Sequence, residues 1–94
     1  MTVTVYKTMY CGYCRMAEQL LTAHGIPFES IDVSGDHATR EALVERANGR
    51  RTVPVIFAGD RVIGGYTELA ALAARGNLRA RLGLPDDDQV RATG

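Results

Sequence analysis

The sequence predicts an α/β domain: a four-stranded mixed sheet flanked by three to four helices, in the order β-α-β-α-β-β-α. Three observations lead there. Short β-branched and aromatic runs alternate with segments whose apolar residues recur at helical spacing. A first strand, a helix and a second strand form a parallel unit with a right-handed crossover. The last two strand-like runs are separated only by a turn, so they close the sheet as an antiparallel hairpin. Ninety-four residues suffice for one such domain with little to spare.

Val3 to Tyr6 (VTVY) alternates β-branched and polar or aromatic residues and reads as the first strand. Ala17, Leu20, Leu21 and His24 then recur at helical spacing, with Arg15, Glu18, Gln19 and Thr22 on the opposite face. Gly25 is placed to end this helix and Pro27 to prevent its resumption. FESIDV reads as the second strand. Ser34 or Asp36 can cap a helix from about His37 to Ala47, whose apolar face is Leu43, Val44 and Ala47 and which Gly49 ends. TVPVIFAGDRVIGG reads as the hairpin, with Val53 to Phe57, a turn at Ala58-Gly59-Asp60, and Arg61 to Ile63. TELAALAAR is a further helix, which Thr67 can cap and Gly76 closes; Asn77 can cap one more turn through Leu82. Residues 1–85 are thus expected to form the domain. DDDQVRATG has almost no apolar side chains, so 86–94 is expected to be a flexible tail.

Eleven basic and eleven acidic side chains cancel, which argues against nucleic acid or an anionic membrane as partner. Ten of the basic residues are arginine and alanine is abundant, a compositional bias without functional content. MTVTVYKTMY lacks the basic start and apolar run of a secretory signal. No stretch approaches the roughly 20 apolar residues that span a bilayer. The expected compartment is the cytoplasm, where thiols are mostly kept reduced and disulfides tend to be transient and catalytic.

That compartment bears on Cys11 and Cys14, the only cysteines, which stand two residues apart in MYCGYCRMAEQLL. A structural zinc site needs four ligands, and His24 and His37 are not at ligand spacing; His24 reads as a partly buried packing residue and His37 as a solvated first-turn residue. No metal is therefore expected on these grounds. A permanent disulfide would close so short a loop that its effect on chain entropy is small. A redox pair explains every position. Cys11 falls between strand and helix, where unpaired N–H groups and the helix dipole favour the thiolate that attacks disulfides. Cys14 lies one turn along, within reach to displace whatever Cys11 has captured, and Gly12 leaves the approach to Cys11 open.

Two features of the second half belong with this pair. Pro54 stands at the start of a predicted strand, where a ladder donor is normally wanted. A trans proline on an edge strand satisfies that placement, and so does a cis Val53–Pro54 bond that turns the Val53 backbone outward toward an extended peptide. GGYTE, Gly64 to Glu68, joins strand to helix; it is either a plain glycine turn or a close backbone approach to a ligand at a helix N-terminus.

Taken together, CGYC, RRTVPVIFAGDRVIGG and YTEL resemble the glutaredoxins, specifically the dithiol members of the bacterial type, over nearly the whole chain up to about Pro85. The resemblance implies a thioredoxin-like fold, a cis bond before Pro54, and a monomeric glutathione-dependent thiol–disulfide oxidoreductase. Its partners would be glutathione and glutathionylated or disulfide-containing proteins. It implies Cys11 as nucleophile and Cys14 as resolving thiol, with Tyr13, Thr52, Val53, Pro54, Gly65, Thr67 and Glu68 lining a glutathione groove. Val53 would pair with the tripeptide backbone, and the start of the last helix would take its γ-glutamyl end.

Three departures qualify the likeness. Gly12 stands where the family usually has proline. Glycine there also occurs in members that share a 2Fe-2S cluster between protomers, here through Cys11, and in mycothiol-dependent relatives; these are the alternative readings. Thr8 stands where the family's lysine usually is, with Lys7 one position earlier, so Lys7, Arg40 and Arg51 are the candidates for glutathione's glycine carboxylate. Thr67-Glu68 replace the commoner acidic pair and keep one carboxylate.

Overall fold

Alternation in the first strand decides which face of the sheet each side chain occupies. In a computed structural model, which describes residues 2–84, Val3 and Val5 of β1 (Val3–Lys7) point into one core cluster while Tyr6 packs against a second. β1 pairs in parallel with β2 (Phe28–Asp32), Val3 opposite Phe28 and Lys7 opposite Asp32. On its other edge β1 pairs antiparallel with β3 (Val55–Ala58), which pairs antiparallel with β4 (Arg61–Gly64), giving the order β2-β1-β3-β4. The expected mixed sheet and parallel β-α-β unit are therefore present.

Helices cover both faces. α1 (Gly12–Ala23), α3 (Tyr66–Ala74) and the short α4 (Leu78–Arg81) close over the larger cluster, where Ala17, Leu21, Leu69, Leu78 and Leu82 meet Val3, Val5, Ile56 and Ala58. α2 (His37–Arg46) covers the opposite face, where Leu43 and Ala47 meet Val33, Val55 and Phe57. With helices on both sides, β3 is buried at every position, which is why VIFA reads as a continuous apolar run rather than an alternating one. No helix among the described residues is long and apolar enough to cross a membrane. The tail expected over 86–94 lies outside the described residues.

Element boundaries and caps depart from the sequence expectation in several elements: β1 runs on to Lys7, β2 ends at Asp32, α2 ends at Arg46 and β4 runs on to Gly64. β3 starts at Val55, not Val53, because its pairing with β1 begins at Val55 opposite Tyr6. The hairpin turn is Gly59-Asp60 alone, since Ala58 still pairs with Val3 and Arg61. α3 begins at Tyr66 with Gly65, not Thr67, as its N-cap. Asn77 occupies the N-cap of α4 without a side-chain capping bond. Of the two candidate caps for α2, Asp36 is the one used: its carboxylate accepts the Thr39 N–H at 3.1 Å. The Ser34 hydroxyl instead accepts the Met9 N–H at 2.8 Å, which ties the loop after β1 to the loop after β2.

Leu21 is fully buried and Leu20, one position earlier on α1, only half-buried. Leu21→Ala is expected to destabilise the fold by about 2–5 kcal/mol, and Leu20→Ala by distinctly less. Urea unfolding of both variants checks the order, and an equal loss would contradict the assignment of the buried face.

Candidate active site

The chain leaves β1 through Thr8-Met9-Tyr10 and enters α1 at Cys11, whose extended backbone (φ −119°, ψ 106°) makes it the N-cap. The cap position ordinarily holds a serine or aspartate oxygen; here Cys11 Sγ takes that part and accepts the Cys14 N–H at 3.0 Å. Cys11 Sγ also lies 3.8 Å from the Val53 carbonyl oxygen, to which its S–H donates. As a thiol Cys11 has an acceptor at hand, and as a thiolate it has a backbone donor and the positive end of α1.

Both cysteines are free thiols, yet their surroundings differ. Cys11 is half-buried and reachable, while Cys14 is only 1% exposed. Burial, followed by its contact with Cys11, pushes the Cys14 thiol up to about 12. One sulfur can meet a substrate directly. The other keeps its proton inside the protein.

Beside the pair lies a groove of about 360 Å³ lined by Tyr13, Arg50, Thr52, Val53, Pro54, Gly65, Tyr66 and Thr67. The Val53–Pro54 peptide is cis. The Tyr13 and Tyr66 rings stand 6.0 Å apart, centre to centre. Glu68 is the third residue of α3, and its carboxylate turns back to accept the Gly65 N–H at 2.7 Å and to meet Arg50 Nη2 at 3.0 Å. The Gly65 N–H, and secondarily Arg50, hold its carboxyl below the usual range. The double glycine makes room for this. Gly64 sits at φ +129°, and a Cβ there would lie 2.8 Å from Glu68 Cγ. A Cβ on Gly65 would lie 2.9 Å from Arg50 Nη1 and 3.3 Å from the Pro54 carbonyl oxygen. The close approach read from GGYTE is thus made first to the protein's own Glu68, Arg50 and Pro54.

Of the sequence-predicted site residues, Tyr13, Thr52, Val53, Pro54, Gly65 and Thr67 come together around the groove, with Glu68 behind its Gly65 edge. The candidate cations do not. Lys7 pairs with Glu18 at 3.2 Å, and the Ser30 hydroxyl donates to the same carboxylate oxygen. Lys7 and Glu18 line a second, smaller cleft of about 250 Å³ with Thr8, Met9, Arg15, Asp32 and both cysteines. Arg40 donates to the Arg51 carbonyl at 3.3 Å, Arg51 faces Glu41 at 3.9 Å, and neither lines the groove. Arg50 and Tyr66 line it and were not singled out from the sequence; the signal for Arg50 was its place one residue before Arg51 in the same GRR run. Among the described residues, no three His, Cys, Asp or Glu side chains gather as a metal site.

Residues 3–63 match the glutaredoxin family model. Glutaredoxin 3 of Escherichia coli strain K12 is 42% identical over 76 residues, covering 81% of this chain and 90% of that protein. Among solved structures, the crystal structure of a buckwheat glutaredoxin–glutathione complex superposes with a TM-score of 0.79 at 30% identity, covering 86% of this chain and 76% of that one. The solution structure of the glutaredoxin from Brucella melitensis superposes with a TM-score of 0.77 at 38% identity, covering 87% and 88%.

The contrast between the thiols has two measurable consequences. Iodoacetamide at neutral pH is expected to modify Cys11 alone in the folded reduced protein, with Cys14 reacting only after unfolding; mass spectrometry of the labelled peptides reads this, and equal labelling would contradict it. The folded Cys14 thiol, at about 12, also holds its proton where the unfolded chain, near 9.0, has lost it. Stability supplied by the buried thiol is therefore complete below pH 9 and falls as pH rises from there toward 12. Cys14→Ala should flatten that part of the pH–stability curve, and an unchanged slope would refute the assignment.

Proposed function

The chain belongs to the glutaredoxin family, and from that premise we propose that it is a glutathione-dependent thiol–disulfide oxidoreductase. It reduces protein–glutathione mixed disulfides and protein disulfides through Cys11 and Cys14. The observation that carries the reading is the N-cap position of Cys11, whose sulfur takes the Cys14 N–H at 3.0 Å beside an open groove. A sulfur so placed has a backbone donor and a helix N-terminus beside it and is reachable from solvent.

Thiolate Cys11 attacks the glutathione sulfur of a mixed disulfide. A Cys11–glutathione bond forms, the bond to the target protein breaks, and the target leaves as thiolate and takes up a proton. A second glutathione thiolate then attacks the bound glutathione sulfur, which releases glutathione disulfide and restores the Cys11 thiolate. With a protein disulfide, Cys11 forms the mixed disulfide and Cys14 attacks Cys11's sulfur to expel the substrate thiolate. The Cys11–Cys14 disulfide so formed is reduced by two glutathiones. Two of the influences that hold the Cys14 proton, its contact with Cys11 and the Cys11 charge, end once Cys11's sulfur enters a disulfide. Burial, the largest influence, persists, so capture of a substrate loosens the hold on the Cys14 proton without removing it.

The groove offers glutathione what a peptide needs. The Val53 backbone precedes the first paired residue of β3, and Val53 can pair with the tripeptide's own backbone. The first turn of α3 presents N–H groups without intrahelical acceptors to the γ-glutamyl carboxylate. Arg50, rather than Arg40, Arg51 or Lys7, is the cation on the groove wall, and its pairing with Glu68 sets it at the α3 end, beside the position proposed for the γ-glutamyl carboxylate. A relative of this fold was crystallised with glutathione, which supports the same ligand here. All these residues lie within the expected 1–85 domain, and the expected working form is a cytoplasmic monomer.

The two cysteines are expected to separate on mutation. Cys11→Ser should abolish both activities, because a serine hydroxyl is not ionised near neutral pH. Cys14→Ser should keep turnover of glutathionylated substrates, where Cys11 and an outside glutathione suffice, and lose most of its protein-disulfide reduction. The measurement is both activities in both variants with glutathione as reductant. Equal loss of the two activities in Cys14→Ser would mean that the cysteines act as an obligate pair and would overturn the glutathione assignment.

A further inference from the structure

Cys14 keeps its proton at rest, yet resolving a mixed disulfide requires that proton to leave. The side chain is 1% exposed and does not line the larger groove. It lines the small cleft of about 250 Å³, together with Cys11, Lys7, Arg15, Glu18 and Asp32. The proton's way out is through this cleft, and one group in it is set to receive it.

That group is Glu18. It stands four residues after Cys14 on α1, so the two side chains leave the same side of the helix one turn apart. It is the only acidic residue of α1, and its side chain is 19% exposed. The Lys7 ammonium, at 3.2 Å, and the Ser30 hydroxyl both donate to Oε2. Among the described residues no group donates to Oε1, which is left to take a proton. Glu18 also acts on the thiol through its charge, one of the influences that raise Cys14, whereas Asp32, the other carboxylate of the cleft, is not among them. Asp32 is engaged instead by the Ser34 N–H at 2.8 Å. Lys7 and Arg15 are cations and have no lone pair to offer.

We propose that Glu18, its carboxylate held in place by Lys7 and Ser30, accepts the Cys14 proton in the resolving step. The proposal rests on the reading of Cys14 as the resolving thiol. As Cys14 Sγ bonds to Cys11 Sγ, the Cys11–substrate bond breaks and the substrate sulfur leaves with the electron pair. The Cys14 S–H turns acidic as its sulfur gives electrons to the new bond, and the proton passes across the cleft to Glu18 and from there to water. The Thr8 backbone, which favours a Cys14 anion, supports the same moment. Without an acceptor, a thiol at about 12 would be almost wholly unreactive at neutral pH.

The test uses the full reduced protein and an excess of the symmetrical disulfide of thionitrobenzoate, with no glutathione present. Cys11 thiolate attacks the reagent; a Cys11–thionitrobenzoate bond forms and one coloured thionitrobenzoate anion leaves. Cys14 then attacks Cys11 Sγ, the internal disulfide forms and a second anion leaves, and stopped-flow absorbance times the two releases separately. In the unaltered protein the second release is expected to keep nearly one rate from about pH 6 to about pH 8, because a carboxylate and not hydroxide takes the proton. In Glu18→Gln it should slow about 100-fold at neutral pH and climb about tenfold per pH unit, as it must when the thiol ionises unaided. The first release, made by Cys11, reports whether α1 is still in place. A second release in Glu18→Gln that is as fast as in the unaltered protein, or faster, would overturn the proposal, since removing a charge that only raises Cys14 would speed its attack. So would a second release in the unaltered protein that climbs about tenfold per pH unit, a readout that needs no variant. Absence of any second release from the unaltered protein would sink the reading of Cys14 as resolving thiol, and the proposal with it.

Discussion

The hydrogen bond from the Cys14 N–H to Cys11 Sγ, 3.0 Å long, joins the chemistry of this protein to its packing. It holds the Cys11 sulfur at the end of α1, and its donor belongs to the residue whose own side chain is sealed in the interior. That sealing follows from the helix register. Cys14, Ala17 and Leu21 are the buried positions of α1, on one face at helical spacing, and Ala17 and Leu21 are locked against β1 and β3 through the larger core cluster. The face that closes the core thus fixes which cysteine is inside and which is offered to solvent. A rotation of α1 that exposed Cys14 would also unpack Leu21, so the asymmetry of the two thiols is backed by the stability of the whole domain.

The opposite wall of the site depends on β3 in the same way. Buried on both faces, β3 leaves little freedom to the residues just before it, and Val53 arrives with its carbonyl oxygen 3.8 Å from Cys11 Sγ. Beyond the hairpin, Gly64 and Gly65 allow Glu68 to fold back over the start of α3 and engage Arg50. The Arg50–Glu68 pair is too exposed to add more than a fraction of a kcal/mol to stability, on the order of 0.2–1. Its effect is positional: it holds a guanidinium against the groove wall, between the loop before β3 and the first turn of α3.

Much of this was legible in the sequence because it rests on periodicity and turn chemistry. The alternation of VTVY, the helical spacing of Ala17, Leu20 and Leu21, and Asp36 ahead of α2 each mapped onto the observed element. The errors sit where a local preference competed with a longer-range contact. Thr67 is by type a better N-cap than Gly65, yet only a cap at Gly65 places Glu68 at the third helical position, where its carboxylate can reach back. The spacing Gly-x-x-Glu carried that signal. Adjacent arginines posed a different problem. Asn48 at φ +59° and Gly49 at φ +90° take the chain out of helical period after α2, so no repeat says which of Arg50 and Arg51 faces the groove. Lys7 was drawn away by Glu18, eleven positions along the chain and on another element. Such cross-element ion pairs leave no local pattern to read.

The fold and the cysteine pair leave one question on which the whole account turns, namely which thiol restores Cys11. The direct measurement is turnover of a small glutathione mixed disulfide by the purified protein with one reductant supplied at a time: glutathione, mycothiol, or thioredoxin reductase with its nicotinamide cofactor. Rapid turnover with glutathione, and little with the other two, is the result this account predicts. Turnover sustained by mycothiol or by thioredoxin reductase, with glutathione inert, would contradict it.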